Sequence, residues 1–245
     1  MNRLRTFASS IFLLLLCSCG SSQDTEWPSR VILFIGDGMG PEQVRAGSYY
    51  LGRPVSFESF PVHTLVATYS ADNAVTDSAA AATAIATGTK VNNGVLSLWI
   101  PGSGAPLATL LERAAAEGKL TGLATTVYTT HATPAAFAAH QSSRTLYDEI
   151  AYDYMNTTRP NLLLGGGANG LDDAEATAAG YTLVKTLLEL EAAVAAPTLR
   201  IAGLFGTGFL MYEALGGPHV DGHPNLADRS EEHTSELQSP NTISY

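Results

Sequence analysis

Short apolar runs that alternate with alanine-rich stretches constrain the fold of this chain more than any other feature of its sequence. The apolar runs are continuous rather than alternating with polar residues, which is typical of strands buried on both faces of a parallel sheet. The alanine-rich stretches have the composition of helices. The pattern predicts an α/β domain, a three-layer α/β/α sandwich with a mainly parallel central sheet. Little sequence follows the last predicted strand to cover it, so we expect the sandwich to be incomplete at the C-terminus.

The individual elements follow from the same periodicity and from turn residues. Strands are predicted at residues 30–36, 63–69, 121–127, 161–166 and 199–205. Helices are predicted at residues 41–50, 79–87, 106–117, 134–140, 146–154 and 184–195. The Asn-Gly pair in "VNNGV" predicts a hairpin-type turn.

The two ends of the chain differ from its body. Arg3 and Arg5 precede the apolar run "FASSIFLLLL" and the small polar "CSCGSSQ", which predicts a signal peptide over residues 1–18. "LCSCG" resembles a bacterial lipobox with Cys19 lipidated, which predicts a lipoprotein of the bacterial envelope, periplasmic or membrane-anchored. A plain signal peptide is the alternative. Residues 19–228 form the predicted domain, and residues 229–245 resemble a translated sequencing adapter, with a genuine disordered tail as the alternative.

Charge and cysteine content exclude some partners and some kinds of stabilisation. The net charge is −10, which argues against a nucleic-acid partner. The only two cysteines lie in the leader segment, so we expect the mature domain to depend on packing or bound metal rather than on a disulfide. The leader's apolar run is shorter than a spanning helix needs, so we expect contact with the membrane through a lipid anchor only.

Asp37 follows the first predicted strand in "VILFIGDGMG", at the end that faces the ligand crevice in open parallel sheets. A carboxylate between two glycines that let a ligand approach the backbone suits a divalent cation. The alternative is a turn aspartate that accepts hydrogen bonds from its own loop. A single glycine-rich loop leaves both interpretations open.

Asp77 and Ser78 stand directly before the alanine run of "VTDSAAAATAIATG". Either residue is a good helix N-cap and alanine is the best helix former, so the pair favours a helix start. A serine there also lies at the positive end of the helix dipole, where a phosphoryl group is stabilised. Its hydroxyl needs a base or a metal ion to become a nucleophile. The segment therefore predicts either a plain cap or a mounted nucleophile.

The segment "TTHATPAAFAAHQSSR" holds three further candidates. Thr133 precedes a proline suited to the first helical position, so Thr133 is a candidate N-cap. His131 and Thr133 are also candidate neighbours of Mg²⁺ or its waters, and Arg144 is either a solvated arginine or a bidentate phosphate clamp. The spacing of His219 and His223 in "HVDGH" is compatible with zinc, but the flanking Gly and Pro disfavour the fixed strand that such a site needs.

Taken together, "VILFIGDGMG", "VTDSAAAATAIATG" and "HATPAAFAAHQSSR" resemble, in this order, the first three site segments of the alkaline phosphatase family. "NLLLGGG" and "AGLFG" are similar to later strands of that family, so the resemblance covers about residues 30–228. It implies a phosphomonoesterase that uses two Zn²⁺ and one Mg²⁺ and acts on small-molecule phosphate monoesters.

The resemblance also implies a role for each candidate. Ser78 would become a phosphoserine and bind one zinc, and Asp37 would bridge that zinc and the magnesium. Thr133 would complete part of the magnesium site, with His131 beside it. For phosphate itself, it implies that Arg144 clamps two oxygens and that Asp77 orients Arg144. Turnover would proceed by two in-line displacements with a zinc-activated water in the second, in a parent protein compatible with a homodimer.

The sequence departs from the family's pattern downstream. Residues 145–228 contain neither the Glu-x4-Asp-x3-His pattern nor the Asp-His pair that carry the remaining metal ligands. We therefore expect this polypeptide on its own to be inactive. Two alternatives stay open: a phosphodiesterase or other hydrolase of the same superfamily, and a non-catalytic envelope protein that binds phosphate or metal.

Overall fold

A computed structural model of the chain describes residues 29–206 and 208–210. The chain divides into two units, residues 1–34 and residues 35–245. The described part of the first unit, residues 29–34, has neither helix nor strand. Cys19, the predicted signal peptide, His219, His223 and the adapter-like tail all lie outside the described residues.

The helices and strands belong to the second unit. The helices are α1 (Pro41–Leu51), α2 (Ser78–Thr87), α3 (Leu110–Ala116), α4 (Ala132–Ala138), α5 (Tyr147–Tyr152), α6 (Asp173–Ala178) and α7 (Leu187–Ala195). The strands are β1 (Gly122–Tyr128), β2 (Leu162–Gly166), β3 (Thr182–Val184) and β4 (Ile201–Leu204). A 3₁₀ turn covers Ser56–Ser59, and a π-helix, Asp153–Thr158, continues α5.

The four strands form one sheet in the order β1-β2-β4-β3, and all three pairings are parallel. Ile201 of β4 lies opposite Leu162 of β2 on one side and Thr182 of β3 on the other. Parallel neighbours require crossover connections, and helices supply them here. The predicted parallel sheet is therefore confirmed.

Both faces of this sheet are covered. Leu163 of β2 and Ala202 of β4 pack into one cluster with buried residues of α2, α4 and α5. Leu162 and Leu164, which point to the opposite face, pack with Leu190 of α7 in a second cluster. Because successive residues of a strand face opposite sides, an apolar residue at every position of β2 needs helices on both sides. The three-layer α/β/α sandwich is thereby confirmed.

Helices α2 and α4 pack on one another through small side chains. Ala79, Ala82 and Ala86 of α2 are buried in the same cluster as Ala135 and Ala136 of α4. Alanine lets two helix backbones approach closely and loses little side-chain entropy on burial. The alanine run therefore brings the N-terminal ends of α2 and α4, which carry Ser78 and Thr133, near each other.

Two predicted strands are wrong, because no strand is assigned at residues 30–36 or 63–69. Both segments have the β-branched and aromatic composition of strands, but composition alone does not supply a hydrogen-bonded neighbour. Leu65, for example, is 98% exposed. Among the described residues the sheet consists of β1 to β4 only, so neither of these two segments belongs to it.

Smaller differences concern element ends. The helix predicted from residue 106 begins at Leu110, because Thr109 and Glu112 form a capping box there. The short elements α6 and β3 were not predicted. The predicted Asn-Gly turn exists, but no strands flank it as a hairpin requires. Within the described residues, no helix combines the length and apolarity needed to cross a membrane.

A partly buried histidine, His140, joins α3 to the segment that follows α4. His140 Nδ1 lies 2.8 Å from the carbonyl oxygen of Ser97, and Nε2 lies 2.8 Å from Glu112 Oε1. Both partners only accept, so both ring nitrogens carry protons. Burial opposes this charge, but the bonds to Glu112 and Ser97 outweigh it and raise the pKa of His140. Burial likewise opposes the charge on Glu112, yet the bonds from His140 and Thr109 lower the pKa of Glu112.

We expect the free energy of unfolding to depend on pH through this pair. A raised folded pKa means that His140 stabilises the fold fully below its unfolded pKa of about 6.5 and loses this contribution as pH rises through the folded value. The Glu112 contribution is present above about 4.3, the ordinary pKa of a glutamate, and is lost as pH falls through the lowered value. His140→Gln should cost about 1–3 kcal/mol near pH 6 and remove the alkaline slope.

The measurement is urea unfolding of both proteins between pH 5 and 9 in steps of about half a unit, a spacing that resolves a titration one to two units wide. His63→Gln, at an exposed position, is the matched control and should keep the wild-type profile. Parallel profiles for the wild type and His140→Gln would show that the pKa of His140 is the same in the folded and unfolded states, contrary to the prediction.

Candidate active site

Ser78 is the first residue of α2, and Asp77 before it is the N-cap. Asp77 has extended backbone angles, and its Oδ1 accepts a hydrogen bond of 2.9 Å from the amide of Ala80. The carboxylate of Asp77 thus does the capping, which leaves the hydroxyl of Ser78 free for another partner. Cap and candidate nucleophile are therefore separate residues at one helix start.

The free hydroxyl of Ser78 donates to Asp37. The distance from Ser78 Oγ to Asp37 Oδ1 is 3.1 Å, and Thr133 Oγ1 donates to Asp37 Oδ2 at 2.8 Å. Asp37 lies in a turn beside Gly38, whose φ of 67° favours glycine. The Asp37 carboxylate thereby bonds to two residues that lie 41 and 96 positions further along the chain. The interpretation of Asp37 as an aspartate that bonds only within its own loop is therefore wrong.

Thr133 is not the N-cap that its position before proline predicts. His131 takes the N-cap position and α4 begins at Ala132, so Thr133 lies inside the first turn. His131 makes no capping hydrogen bond through its side chain. The first turn of α4 therefore presents the hydroxyl of Thr133 to Asp37 instead of to its own backbone.

Arg144 joins the two helix starts. Its NH1 donates to Asp77 Oδ2 at 3.1 Å, and its NH2 donates to His131 Nε2 at 3.2 Å. The Arg144 side chain is 27% exposed, so it is not a solvated surface arginine. These two bonds use two of the five guanidinium N–H donors, which leaves three donors for a bidentate anion.

His131 is held neutral. Burial is the largest cause, and the charge of Arg144 adds to it, so the pKa of His131 is lowered despite the opposing charge of Asp37. A guanidinium only donates, so Nε2 must accept and the neutral ring carries its proton on Nδ1. Nδ1 is buried without a hydrogen-bond partner in the described structure. A neutral imidazole adds no positive charge to this site.

Sequence reasoning missed three neighbours of the site. The ring of Tyr128, the last residue of β1, lies 5.1 Å from the ring of His131 in an edge-to-face arrangement. Burial and the hydroxyl of Tyr147, 3.1 Å away, raise the pKa of Tyr128 to about 12, so the phenol stays protonated. The side chain of Asn93 donates to the carbonyl of Val75 and accepts from the amide of Asp77. The only sequence signal was the position of Tyr128 at the carboxyl end of a predicted strand.

The described residues fit part of a divalent-cation site. Asp37 offers two carboxylate oxygens, and each lies beside a hydroxyl, that of Ser78 or that of Thr133. Oxygen donors of this kind suit Mg²⁺. Among the residues that the structure describes, no group of three or more His, Cys, Asp or Glu is placed to hold an ion. The donor set is compatible with a cation but needs further ligands.

Comparison with known proteins gives a consistent result. The alkaline phosphatase family model matches residues 29–241. Alkaline phosphatase 3 of Bacillus subtilis is 35% identical over 74% of this chain and 42% of its own length. The crystal structure of the alkaline phosphatase of Shewanella sp. superposes with a TM-score of 0.62 and 35% identity, covering 73% of this chain and 46% of that one.

A third similar protein carries a metal ion. A histidine-to-glutamate variant of TAB5 alkaline phosphatase, with Mg bound in its M3 site, has a TM-score of 0.73 and 25% identity. The match covers 87% of this chain and 62% of the variant. The chain spans about half the length, or less, of the curated relatives it matches, for example 42% of the Bacillus protein and 56% of a streptomycin-6-phosphate phosphatase of Streptomyces griseus.

The capping role of Asp77 gives a stability prediction. We expect Asp77→Ala to lower the free energy of unfolding by about 1 kcal/mol or more, because the first turn of α2 loses its acceptor. Asp77→Ser should restore most of that loss, since serine caps equally well but does not reach Arg144. Urea unfolding of the three proteins at pH 7 measures the difference. Equal losses in the alanine and serine variants would assign the stabilisation to Arg144 instead of the cap.

Proposed function

The chain belongs to the alkaline phosphatase family, and from this premise we propose that its protein hydrolyses phosphate monoesters through a phosphoserine formed on Ser78. Membership of the family supports a phosphatase that acts on small-molecule phosphate esters. The observation that carries the finer proposal is the convergence of Ser78, Asp37 and Arg144 from three distant segments.

Ser78 is placed for attack on phosphorus. Its Oγ stands at the N-terminal end of a ten-residue helix, where the helix dipole favours the charge that develops on a phosphoryl group. Asp37 accepts a hydrogen bond from the hydroxyl of Ser78, and this bond orients the Ser78 oxygen. As the Oγ–P bond forms, Ser78 gives up its hydroxyl proton to solvent water and the bond from phosphorus to the ester oxygen breaks. The alcohol leaves with that electron pair and takes up one proton from solvent water, so no net proton is gained or lost.

Arg144 is placed to bind the phosphate. Asp77 and His131 each hold one guanidinium nitrogen, which fixes the plane of the group and lowers the entropy lost on binding. In the second displacement a water oxygen attacks phosphorus, the Oγ–P bond breaks and Ser78 regains its proton. Orthophosphate is the product. Two in-line steps retain the configuration at phosphorus.

We further propose two Zn²⁺ and one Mg²⁺ as cofactors, with Asp37, Ser78 and Thr133 on their protein side and His131 beside them. Bound divalent ions would lower the pKa of the attacking hydroxyl and stabilise the departing oxygen. The Mg bound in the TAB5 variant supports the magnesium, and the oxygen donors around Asp37 support a hard cation. Thr133 and Ser78 would hold their hydroxyl oxygens on either side of this carboxylate.

Cellular placement is proposed from the leader sequence. Arg3, the apolar run after it and Cys19 in "LCSCG" support export and a lipid anchor at a bacterial envelope. Palmitate labelling of the expressed protein and of Cys19→Ser tests this directly. A homodimer of the complete protein stays a prediction.

The catalytic proposal is tested with p-nitrophenyl phosphate in buffer containing Zn²⁺ and Mg²⁺. The 245-residue chain should turn over no faster than its Ser78→Ala variant, because its described residues supply only part of the metal ligands. The complete protein encoded at the locus should show zinc-dependent turnover that Ser78→Ala abolishes.

Ser103→Ala, at an exposed loop serine, is the matched control and should retain the activity of the complete protein. Preference for bis-p-nitrophenyl phosphate would replace the monoesterase assignment by a diesterase. Turnover that survives Ser78→Ala would rule out the phosphoserine. Zinc-dependent turnover by the 245-residue chain would show that its own ligands suffice.

A further inference from the structure

The Asn-Gly turn lies between the two functional segments rather than between two strands. The amide of Val95 donates to the carbonyl of Asn92 at 3.2 Å, which closes a β-turn with Asn93 and Gly94 at its centre. Only Gly94 of the central pair has a positive φ, 83°, as a type II turn requires. Since no strands flank it, hairpin formation does not explain this turn.

The side chain of Asn93 pairs with the residues that lead into α2. Its Oδ1 accepts from the amide of Asp77 at 3.0 Å, and its Nδ2 donates to the carbonyl of Val75 at 3.0 Å. One amide group thus satisfies a donor and an acceptor two residues apart, as a neighbouring strand does. The backbone amide of Asn93 is itself fixed by Asp72 Oδ1 at 2.9 Å. The Asn93 side chain therefore bonds to two residues, Val75 and Asp77, of the segment that leads into α2.

The backbone of Gly94 connects Asp77 with Arg144. The Gly94 amide donates to Asp77 Oδ2 at 3.0 Å, and the Gly94 carbonyl accepts from the amide of Arg144 at 2.7 Å. The guanidinium of Arg144 then returns to the same Asp77 Oδ2 at 3.1 Å. These three bonds form a closed circuit through Asp77, Gly94 and Arg144.

The circuit is anchored on its far side. Leu96 and Gln141 exchange both backbone hydrogen bonds, at 2.9 and 3.0 Å, so the chain after the turn runs antiparallel beside the chain that leads to Arg144. Ser97, next along, donates through its hydroxyl to the carbonyl of Ala136 in α4. Hydrogen bonds from Leu96 and Ser97 therefore connect the chain after the turn to Gln141 and to the buried helix α4.

We propose that the Asn93–Gly94 turn is a positioning element that sets the placement of Arg144 relative to the start of α2. Asn93 fixes residues 75–77, and Gly94 fixes the backbone of Arg144. Asp77 bonds to both turn residues: its amide donates to Asn93 and its carboxylate accepts from Gly94. Neither turn residue touches the hydroxyl of Ser78 or, in the proposed function, the phosphate. The inference rests on the proposed function only for its consequence, which is that the phosphate clamp stands at a fixed distance from the nucleophile.

The test uses the full chain with Asn93→Ala and, as a matched control, Asn73→Ala. Asn73 lies in the same segment and also accepts one backbone hydrogen bond, from Val75 at 2.9 Å, but it touches neither Asp77 nor Gly94. Amide hydrogen exchange is measured at Gly94 and Arg144, with α7 as an internal reference. Asn93→Ala should lose about tenfold protection at both amides, the change expected for about 1.4 kcal/mol, while α7 is unchanged. Asn73→Ala should leave the protection of Gly94, Arg144 and α7 as in the wild type.

The second readout is the affinity for inorganic phosphate of the complete protein encoded at the locus, with the same two substitutions, measured by calorimetry with Zn²⁺ and Mg²⁺ present. Asn93→Ala should weaken binding about tenfold relative to Asn73→Ala, since one misplaced charge-assisted hydrogen bond is worth about that factor. A uniform loss of protection that includes α7 would assign a purely structural role to Asn93 and overturn the proposal. Unchanged exchange at Gly94 and Arg144 overturns it as well, and so does local loss of protection with unchanged phosphate affinity.

The two proposals fail in different ways. If the complete protein binds no phosphate, the assignment of the phosphate site fails, while the exchange data still decide whether Asn93 holds Arg144. If phosphate binds and Asn93→Ala equals Asn73→Ala in both readouts, the positioning role fails and the assignment of the phosphate site stands.

Discussion

The carboxylate of Asp77 is the group on which the arrangement of the whole site depends. Its Oδ1 caps α2, and its Oδ2 accepts from both Gly94 and Arg144. A carboxylate has lone pairs enough for all three donors, whereas a serine or threonine cap has room for fewer. The same residue therefore starts the helix that carries Ser78 and fixes the guanidinium that faces it. Ser78 is free to bond to Asp37 because the capping is done by its neighbour.

The sandwich explains why these groups meet although they are far apart in sequence. The buried alanines of α2 and α4 bring the two helices together on one face of the sheet, and Ser78 and Thr133 lie at the corresponding helix starts. Larger side chains at Ala79 or Ala135 would separate the helices by more than the reach of one carboxylate. Close packing of small residues is thus a condition for Asp37 to bond to both hydroxyls.

Local signals predicted what local interactions determine. The continuous apolar run of β2, the alanines of α2 and the capping chemistry of Asp77 were readable because each acts within a few residues. The strands expected at residues 30–36 and 63–69 were wrong, since a ladder depends on partners that no local pattern specifies. Thr133 is not the cap because α4 begins at Ala132, with His131, two residues before Thr133, as its N-cap. The bonds of Arg144 to Asp77 and His131 are tertiary and had no local signal.

The charges of the described site residues argue that a phosphate dianion needs bound cations there. Asp37 and Asp77 contribute two carboxylates, Arg144 contributes one positive charge, and His131 is neutral because burial and Arg144 lower its pKa. The four side chains therefore carry about one net negative charge, in a chain whose net charge is −10. A monoester dianion entering between them meets repulsion that a single guanidinium does not offset at such short distances. Divalent cations beside Asp37 would reverse the sign of the local potential, and this electrostatic argument supports the proposed metal ions independently of any resemblance.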